Sequence, residues 1–359
     1  MAIKRNKVKV DLGSYSHYVI MGLPKVGKTE LMYNLAKQEY SLDEMLLISC
    51  GNEQGFKSLP DIQYEEVLKF NKKEDSNGDR GFMQVVDDIV KNYKELGIKM
   101  VVIDTLDTLF DICTEQVLKE SVQQTGRPCK NLNDAFGGYQ RGRDRLLDLI
   151  TNEINKLDRL PIAVFIIGHT KFKTKKDGLS NEEYEQLTNN LRSDFFSPIS
   201  NSAQMIVNIT IERQIEDGQQ IGEERYMYFK NNGLIDCGAR FEGLPEKLEL
   251  SAENFMLAFR TGVENSLKKN GQTKHNIDEI KKEELKEQEV EAEKVQEQLA
   301  QEEQEEQSQN IEELKAKLKG LMTTTNIKNK VKEYMKSNGV KSVKDLSIEQ
   351  LEELIGLLS

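Results

Sequence analysis

The sequence predicts an α/β fold: a mainly parallel sheet covered by helices, with antiparallel strands closing one edge. Three observations predict it. The apolar run at residues 18–21 feeds directly into Gly22-Leu23-Pro24-Lys25-Val26-Gly27-Lys28-Thr29 and then into a helical pattern, which is the strand, glycine-rich turn and helix of a P-loop. Short apolar runs then alternate with longer amphipathic stretches as far as about residue 170, as the strands and crossover helices of a parallel sheet do. From Ala203 the character changes. Apolar runs at 205–211 and 225–229 are bounded by Asp217-Gly218 and Asn232-Gly233, dipeptides that favour hairpins.

The elements follow in order. Residues 45–49 form a buried strand, and 81–96 a helix with Met83, Val86, Ile89, Val90 and Tyr93 on one face. Residues 99–104 are a second buried strand, 146–157 a helix, and 160–168 a third strand. Ser251 caps a helix running to about Leu267. The domain organisation expected is a core at 1–268, an acidic linker at 269–312, helical or disordered, and a small helical module at 313–359. Between Asp278 and Glu313 there are fifteen acidic and four basic side chains and no aromatic, too little apolar surface to offset chain entropy. From Lys315 to Ser359 nine lysines face five carboxylates. In the last segment Leu314, Leu318, Leu321, Ile327, Val331, Tyr334, Leu351, Leu354, Ile355 and Leu358 keep helical spacing. Asn338-Gly339 serves there as a stop, and Ser347 with Gln350 as a capping box.

The P-loop carries the chemistry. Gly22 and Gly27 lack side chains, so the backbone N–H groups from Gly22 through Leu23, Pro24, Lys25, Val26, Gly27, Lys28, Thr29 and Glu30 can wrap a polyphosphate where the loop has a donor to offer. Lys28 is expected to reach the β- and γ-phosphates of ATP, and Thr29 to place its hydroxyl on Mg²⁺. Asp104 ends an apolar strand and is expected to hold the same Mg²⁺ through water. Glu53, in Cys50-Gly51-Asn52-Glu53-Gln54-Gly55, follows the strand at 45–49 and can polarise the attacking water; a turn carboxylate is the plainer reading. His169 follows the third strand and can touch the γ-phosphate, or be a satisfied histidine at a strand end.

Two stretches read as long loops leaving the same edge. One, 127–145, carries Arg127, Lys130, Arg141, Arg143 and Arg145 with Phe136 and Tyr139; the other opens with Lys171, Phe172, Lys173, Thr174, Lys175 and Lys176. Basic residues interleaved with rings suit a single strand, since cations track phosphates while rings stack on bases. A solvated loop is the alternative.

Composition bounds the rest. The net charge of −11 is unevenly distributed and does not exclude local phosphate binding. Cys50, Cys113, Cys129 and Cys237 are far apart, as are His17, His169 and His275, which argues against a zinc site. No apolar run approaches the roughly 18 residues of a membrane span, and the first residues lack a secretory h-region. A cytoplasmic, reduced protein with no membrane partner is expected.

Gly22-x-Pro24-Lys25-x-Gly27-Lys28-Thr29, Gly51-Asn52-Glu53-Gln54-Gly55, Val102-Ile103-Asp104-Thr105 and Gly168-His169-Thr170-Lys171, in this order, resemble the RecA-like ATPases of phages grouped with the Sak-four-type single-strand annealing proteins. The likeness covers about residues 15–265. It implies a RecA-like P-loop NTPase core, ATP-dependent, DNA-stimulated work on single-stranded DNA in recombination or replication, and action beside a single-stranded DNA-binding protein. It also implies self-assembly as a homo-oligomeric ring or filament, Glu53 as the water-activating base, and DNA loops at the two basic stretches; with Lys28 and His169, read above from the residues, Glu53 completes the expected catalytic set. Cys50-Gly51 departs from the usual acidic residue before the glutamate, and Arg240 and Lys230 are the candidates for a trans-acting finger. Two other readings stay open: an adaptor or loader that recruits a replication protein without essential hydrolysis, and a P-loop small-molecule kinase.

Overall fold

In the computed structural model, strand β1 (Tyr18–Gly22) is buried at every position. An apolar run becomes this when helices cover both faces of a parallel sheet. The structure describes residues 8–269 except 179, 217 and 218, and separate stretches between 271 and 358. Most of the expected linker at 269–312, the Asp217-Gly218 turn and the Asn338-Gly339 stop lie outside the described residues.

The chain continues through α1 (Lys28–Glu39), β2 (Met45–Cys50), β3 (Tyr64–Val67), α2 (Phe82–Asn92), β4 (Met100–Asp104), α3 (Leu106–Thr125) and α4 (Arg141–Asp158). Then come β5 (Ala163–Lys176), β6 (Glu183–Asn189), α5 (Ser193–Ser202), β7 (Met205–Glu216), β8 (Gln219–Tyr228), β9 (Gly238–Ala239), β10 (Lys247–Glu249) and α6 (Ala252–Lys269). The strands make one sheet in the order β10-β8-β7-β1-β5-β4-β2-β3, with β6 beside β5 and β9 beside β7. From β7 to β3 every pairing is parallel, whereas β8, β9 and β10 pair antiparallel at one edge. The expected fold class is the one observed: a mostly parallel α/β sheet with antiparallel edge strands, consistent with a P-loop NTPase core.

Packing explains the sheet's stability. On one face Tyr18 and Ile20 of β1 and Phe165 and Ile167 of β5 meet Leu31, Met32 and Leu35 of α1 and Phe255 and Phe259 of α6. The Tyr18 and Phe165 rings stack at 5.0 Å, and Phe255 meets both edge-on. Aromatic pairs of this kind add about 1 kcal/mol beyond the area they bury. On the other face α3 packs against β5 and β2, and α4 against α2 and α3. His17, just before β1, is fully buried; its ring bridges the Asp158 carboxylate at 2.7 Å and the Ile199 carbonyl at 2.9 Å.

Three differences from the sequence reading matter for the site. Helix α3 begins immediately after β4, capped by Thr105, and its twenty residues end at Gly126 in the left-handed region. The supposed basic loop at 127–145 is short, because α4 already starts at Arg141. Arg143 donates to Asn133 at 2.6 Å and Arg145 to Glu120 at 2.9 Å, so these cations are engaged within the fold. The third strand does not stop at Gly168. It runs on to Lys176 and pairs antiparallel with β6, so the polar stretch is a β-hairpin rather than a structureless loop. Strand pairing satisfies the backbone there, and Phe172, Thr174 and Tyr184 suit a half-exposed strand.

Residues Met1–Ala292 and Glu293–Ser359 are separate units. Glu284, inside the acidic stretch, belongs to the first: it is buried, accepts from the Val10 N–H at 2.8 Å and from the Ser14 hydroxyl, and burial pushes its carboxyl above the ordinary range. The second unit has its own core of Leu318, Val331, Leu346, Leu351, Leu354 and Ile355. Its helix Ile348–Leu358 opens with the expected capping box, Ser347 and Gln350 each accepting from the other's backbone N–H.

Candidate nucleotide-binding site

Glycine is required at both ends of the P-loop for local steric reasons. A Cβ on Gly22 would stand 2.7 Å from Val26 Cγ1 and 2.8 Å from the Ile209 carbonyl oxygen, while Gly27 adopts φ +101°, a conformation side chains disfavour. Lys25 also has positive φ, at 63°. Val26 turns into the core, while Leu23, Pro24, Lys25 and the Glu30 side chain are exposed. Helix α1 starts at Lys28, so the N–H groups of Lys28, Thr29 and Glu30 have no partner one turn earlier and face the hollow of the loop as anion donors.

Lys28 is nearly buried, and its Nζ donates to the Gly22 carbonyl at 3.0 Å and the Leu23 carbonyl at 2.9 Å. Burial pushes the ammonium down to about 8, against the opposing pull of Asp104, Asp107 and Glu53. Thr29 Oγ1 donates to Asp104 Oδ2 at 2.8 Å. Burial raises the Asp104 carboxyl above its ordinary range; the Thr29 hydrogen bond opposes this, and the neighbouring Glu53 carboxylate adds to it.

Glu53 lies half-buried in the turn after β2, where its carbonyl accepts from Ser49 Oγ at 2.9 Å. The turn is pressed onto the start of α3: a Cβ on Gly51 would stand 2.3 Å from Thr108 Cγ2, and Gly51 has φ +70°. This close approach, with the positive φ, gives glycine at position 51 a steric reason. His169 is in register with Gly22 across the β1–β5 pair. Its N–H donates to Asp107 Oδ2 at 2.8 Å and its Nδ1 lies 3.4 Å from the same oxygen. Burial alone would raise the Asp107 carboxyl, but hydrogen bonds from His169 and Asn190 hold it below the ordinary range.

The structure therefore brings Lys28, Thr29, Asp104, Glu53 and His169 to one edge of the parallel sheet, at the carboxyl ends of β1, β2 and β4 and the point of β5 level with them. Sequence reasoning missed Asp107, whose only signal was an acid in the first turn after a strand-ending aspartate. Its Oδ1 is buried with no hydrogen-bond partner among the described residues. The donor set fits a divalent cation. A threonine hydroxyl and a carboxylate are hard oxygens of the kind Mg²⁺ selects, and Thr29 can give its proton to Asp104 while its lone pairs face a cation. Among the described residues no cluster of three or more His, Cys, Asp or Glu side chains forms a protein-only metal site.

A family model described as an AAA domain matches residues 14–241. This chain belongs to that AAA domain family. The matched span takes in the P-loop, Glu53, Asp104, Asp107 and His169, and the family supports nucleotide binding and ATPase activity. No curated protein matches the chain. No helix among the described residues is long and apolar enough to cross a membrane.

Proposed function

We propose that this AAA domain protein is a Mg²⁺-dependent ATPase of the RecA-like type that acts on single-stranded DNA in recombination or replication, as the resemblance to Sak-four-type annealing proteins implies. The observation that carries the reading is the course of β5. The same strand holds His169 beside the P-loop and then continues, without a break, into the lysine-bearing hairpin.

Register sorts that hairpin by charge. Lys171, Lys173 and Lys175 share one face with Thr188, Gln186 and Tyr184 opposite them, whereas Glu183 and Glu185 fall on the other face with Lys176, Thr174 and Phe172. A face with three lysines and a tyrosine, with the Asp236 carboxylate against Thr188 at its inner end, suits a phosphate backbone with a base stacked on the ring. Lys173 is the least free of the three, since its Nζ donates to the Leu191 carbonyl at 2.5 Å.

In this reading Lys28 and the first-turn N–H groups of α1 hold the triphosphate, and Thr29 and Asp104 hold the cation. Bound Mg²⁺ offsets charge on the phosphate oxygens. Glu53 orients a water for in-line attack on the γ-phosphorus and takes its proton as the P–O bond to ADP breaks. His169, tied to Asp107, relates the state of that edge to the hairpin. Homo-oligomers and a single-stranded DNA-binding protein are the expected partners.

The test is ATP hydrolysis with and without single-stranded DNA, with Lys28→Ala as the blank. Stimulation by DNA is expected; hydrolysis indifferent to DNA removes the DNA reading. The adaptor reading is favoured by the separate C-terminal unit, which from Lys315 onward carries nine lysines against five carboxylates. It predicts that Glu53→Ala leaves partner recruitment intact.

A further inference from the structure

The sheet order gives the nucleotide a direction. Asp104 on β4 and Glu53 after β2 lie to one side of β1, across β5, so the terminal phosphate belongs on that side. The nucleoside end must then leave over the opposite side, where β7 and β8 continue the sheet.

Arg225 stands there. It pairs with Ile211 across the β7–β8 hairpin, and its carbonyl accepts from the Leu250 N–H at 2.8 Å. Its Nη1 lies 3.3 Å from the point a Cβ on Gly27 would occupy. Leu250 Cδ2 is 3.1 Å from that point and Glu30 Oε2 is 3.8 Å. A guanidinium thus sits against the last glycine of the P-loop, on the side away from Asp104. The side chain is exposed and makes no ion pair among the described residues. By contrast Arg80, Arg145, Arg192 and Arg260 all face carboxylates.

We infer that Arg225 is a nucleotide contact that clamps the phosphate nearest the nucleoside, opposite Lys28, which serves the distal phosphates. The inference rests on the nucleotide-binding reading of the P-loop. Two cations on opposite sides of a polyphosphate divide its charge, and a planar guanidinium can give two parallel N–H donors to one phosphate where an ammonium cannot. Glycine at position 27 leaves the phosphate and the guanidinium room to meet.

The experiment is calorimetric binding of ADP and of inorganic tripolyphosphate to the full chain, comparing parent, Arg225→Ala, Arg225→Lys and Lys28→Ala. Arg225→Ala should weaken both ligands about tenfold, the worth of one charge-assisted hydrogen bond to phosphate, with Arg225→Lys intermediate. The ligand-free melting temperature should stay unchanged, which separates a binding role from a fold role. ADP bound equally well by Arg225→Ala and the parent, while Lys28→Ala loses it, overturns the inference and leaves the P-loop reading standing. Weakened ADP with unchanged tripolyphosphate also overturns it, because the guanidinium would then be meeting the base. Tight ADP binding by Lys28→Ala brings down the nucleotide reading and the inference with it.

Discussion

Thr29 and Asp104, 75 positions apart, are joined by a hydrogen bond of 2.8 Å from hydroxyl to carboxylate. One residue comes from the first turn of α1 and the other from the last position of β4, and β5 separates β4 from β1, the strand that leads into α1. The bond leaves the threonine lone pairs for a cation. Thr29→Val keeps the shape and removes the oxygen. ATP affinity measured with Mg²⁺ should fall about tenfold, the worth of one good polar interaction, while affinity in EDTA stays within twofold of the parent. Parallel titrations with and without Mg²⁺ check this, and equal losses in both would assign Thr29 a steric role only.

Glu53→Gln is nearly isosteric and cannot take a proton. Turnover at saturating ATP should fall by roughly 10² to 10⁴, the usual worth of a general base. ATP binding should change less than twofold. Single-turnover hydrolysis and equilibrium binding separate the two effects, and near-parental turnover would return Glu53 to the status of a turn carboxylate.

Asp107 gives the fold an acid-sensitive link between α3 and β5. Its carboxyl is held below the ordinary range, so the stabilisation is complete above the unfolded-state value, near 4, and is lost as pH falls through the lower native value. Asp107→Asn should cost about 2 kcal/mol at pH 7, where a charged acceptor of the His169 N–H is weakened. The difference from the parent should shrink below pH 4. Urea unfolding at pH 7 and pH 3.5 measures both, and a pH-independent difference would mean that the charge is not what matters.

The lysine face of the hairpin makes a prediction by contrast. Lys171→Glu with Lys175→Glu should weaken single-stranded DNA binding and reduce the slope of log K against log salt by about 0.7 for each phosphate no longer neutralised. Glu183→Gln with Glu185→Gln, on the opposite face, should leave that slope unchanged. Salt titrations of both pairs decide, and a parental slope in the lysine variant would exclude this hairpin as the DNA-binding surface.

Much of the site was legible because P-loop chemistry is local. Gly22, Gly27, Lys28 and Thr29 are tied to one another by a turn that only certain residues can make. Asp104 was legible because an acid closing a buried apolar run has few places to go but the sheet edge. Helix α3 was not, since the apolar run of β4 leads straight into it without a break in composition. The β5–β6 hairpin was hidden because lysines alternating with threonine and phenylalanine carry no apolar signal, although their backbone pairs fully. Asp107 and Arg225 matter through neighbours remote in the chain, and neither sits in a motif.

By itself, then, the sequence determined the fold class, the P-loop and the residues able to bind phosphate and a cation, because steric limits on glycine and the burial of apolar runs act over short spans. Tertiary structure alone decided that β5 lies between β1 and β4, that Lys171, Lys173 and Lys175 share a face opposite Glu183 and Glu185, and that a guanidinium meets the back of Gly27. Strand order and register are settled by the pairing of distant segments, and the stability of that pairing is shared over the whole sheet rather than encoded at any one position.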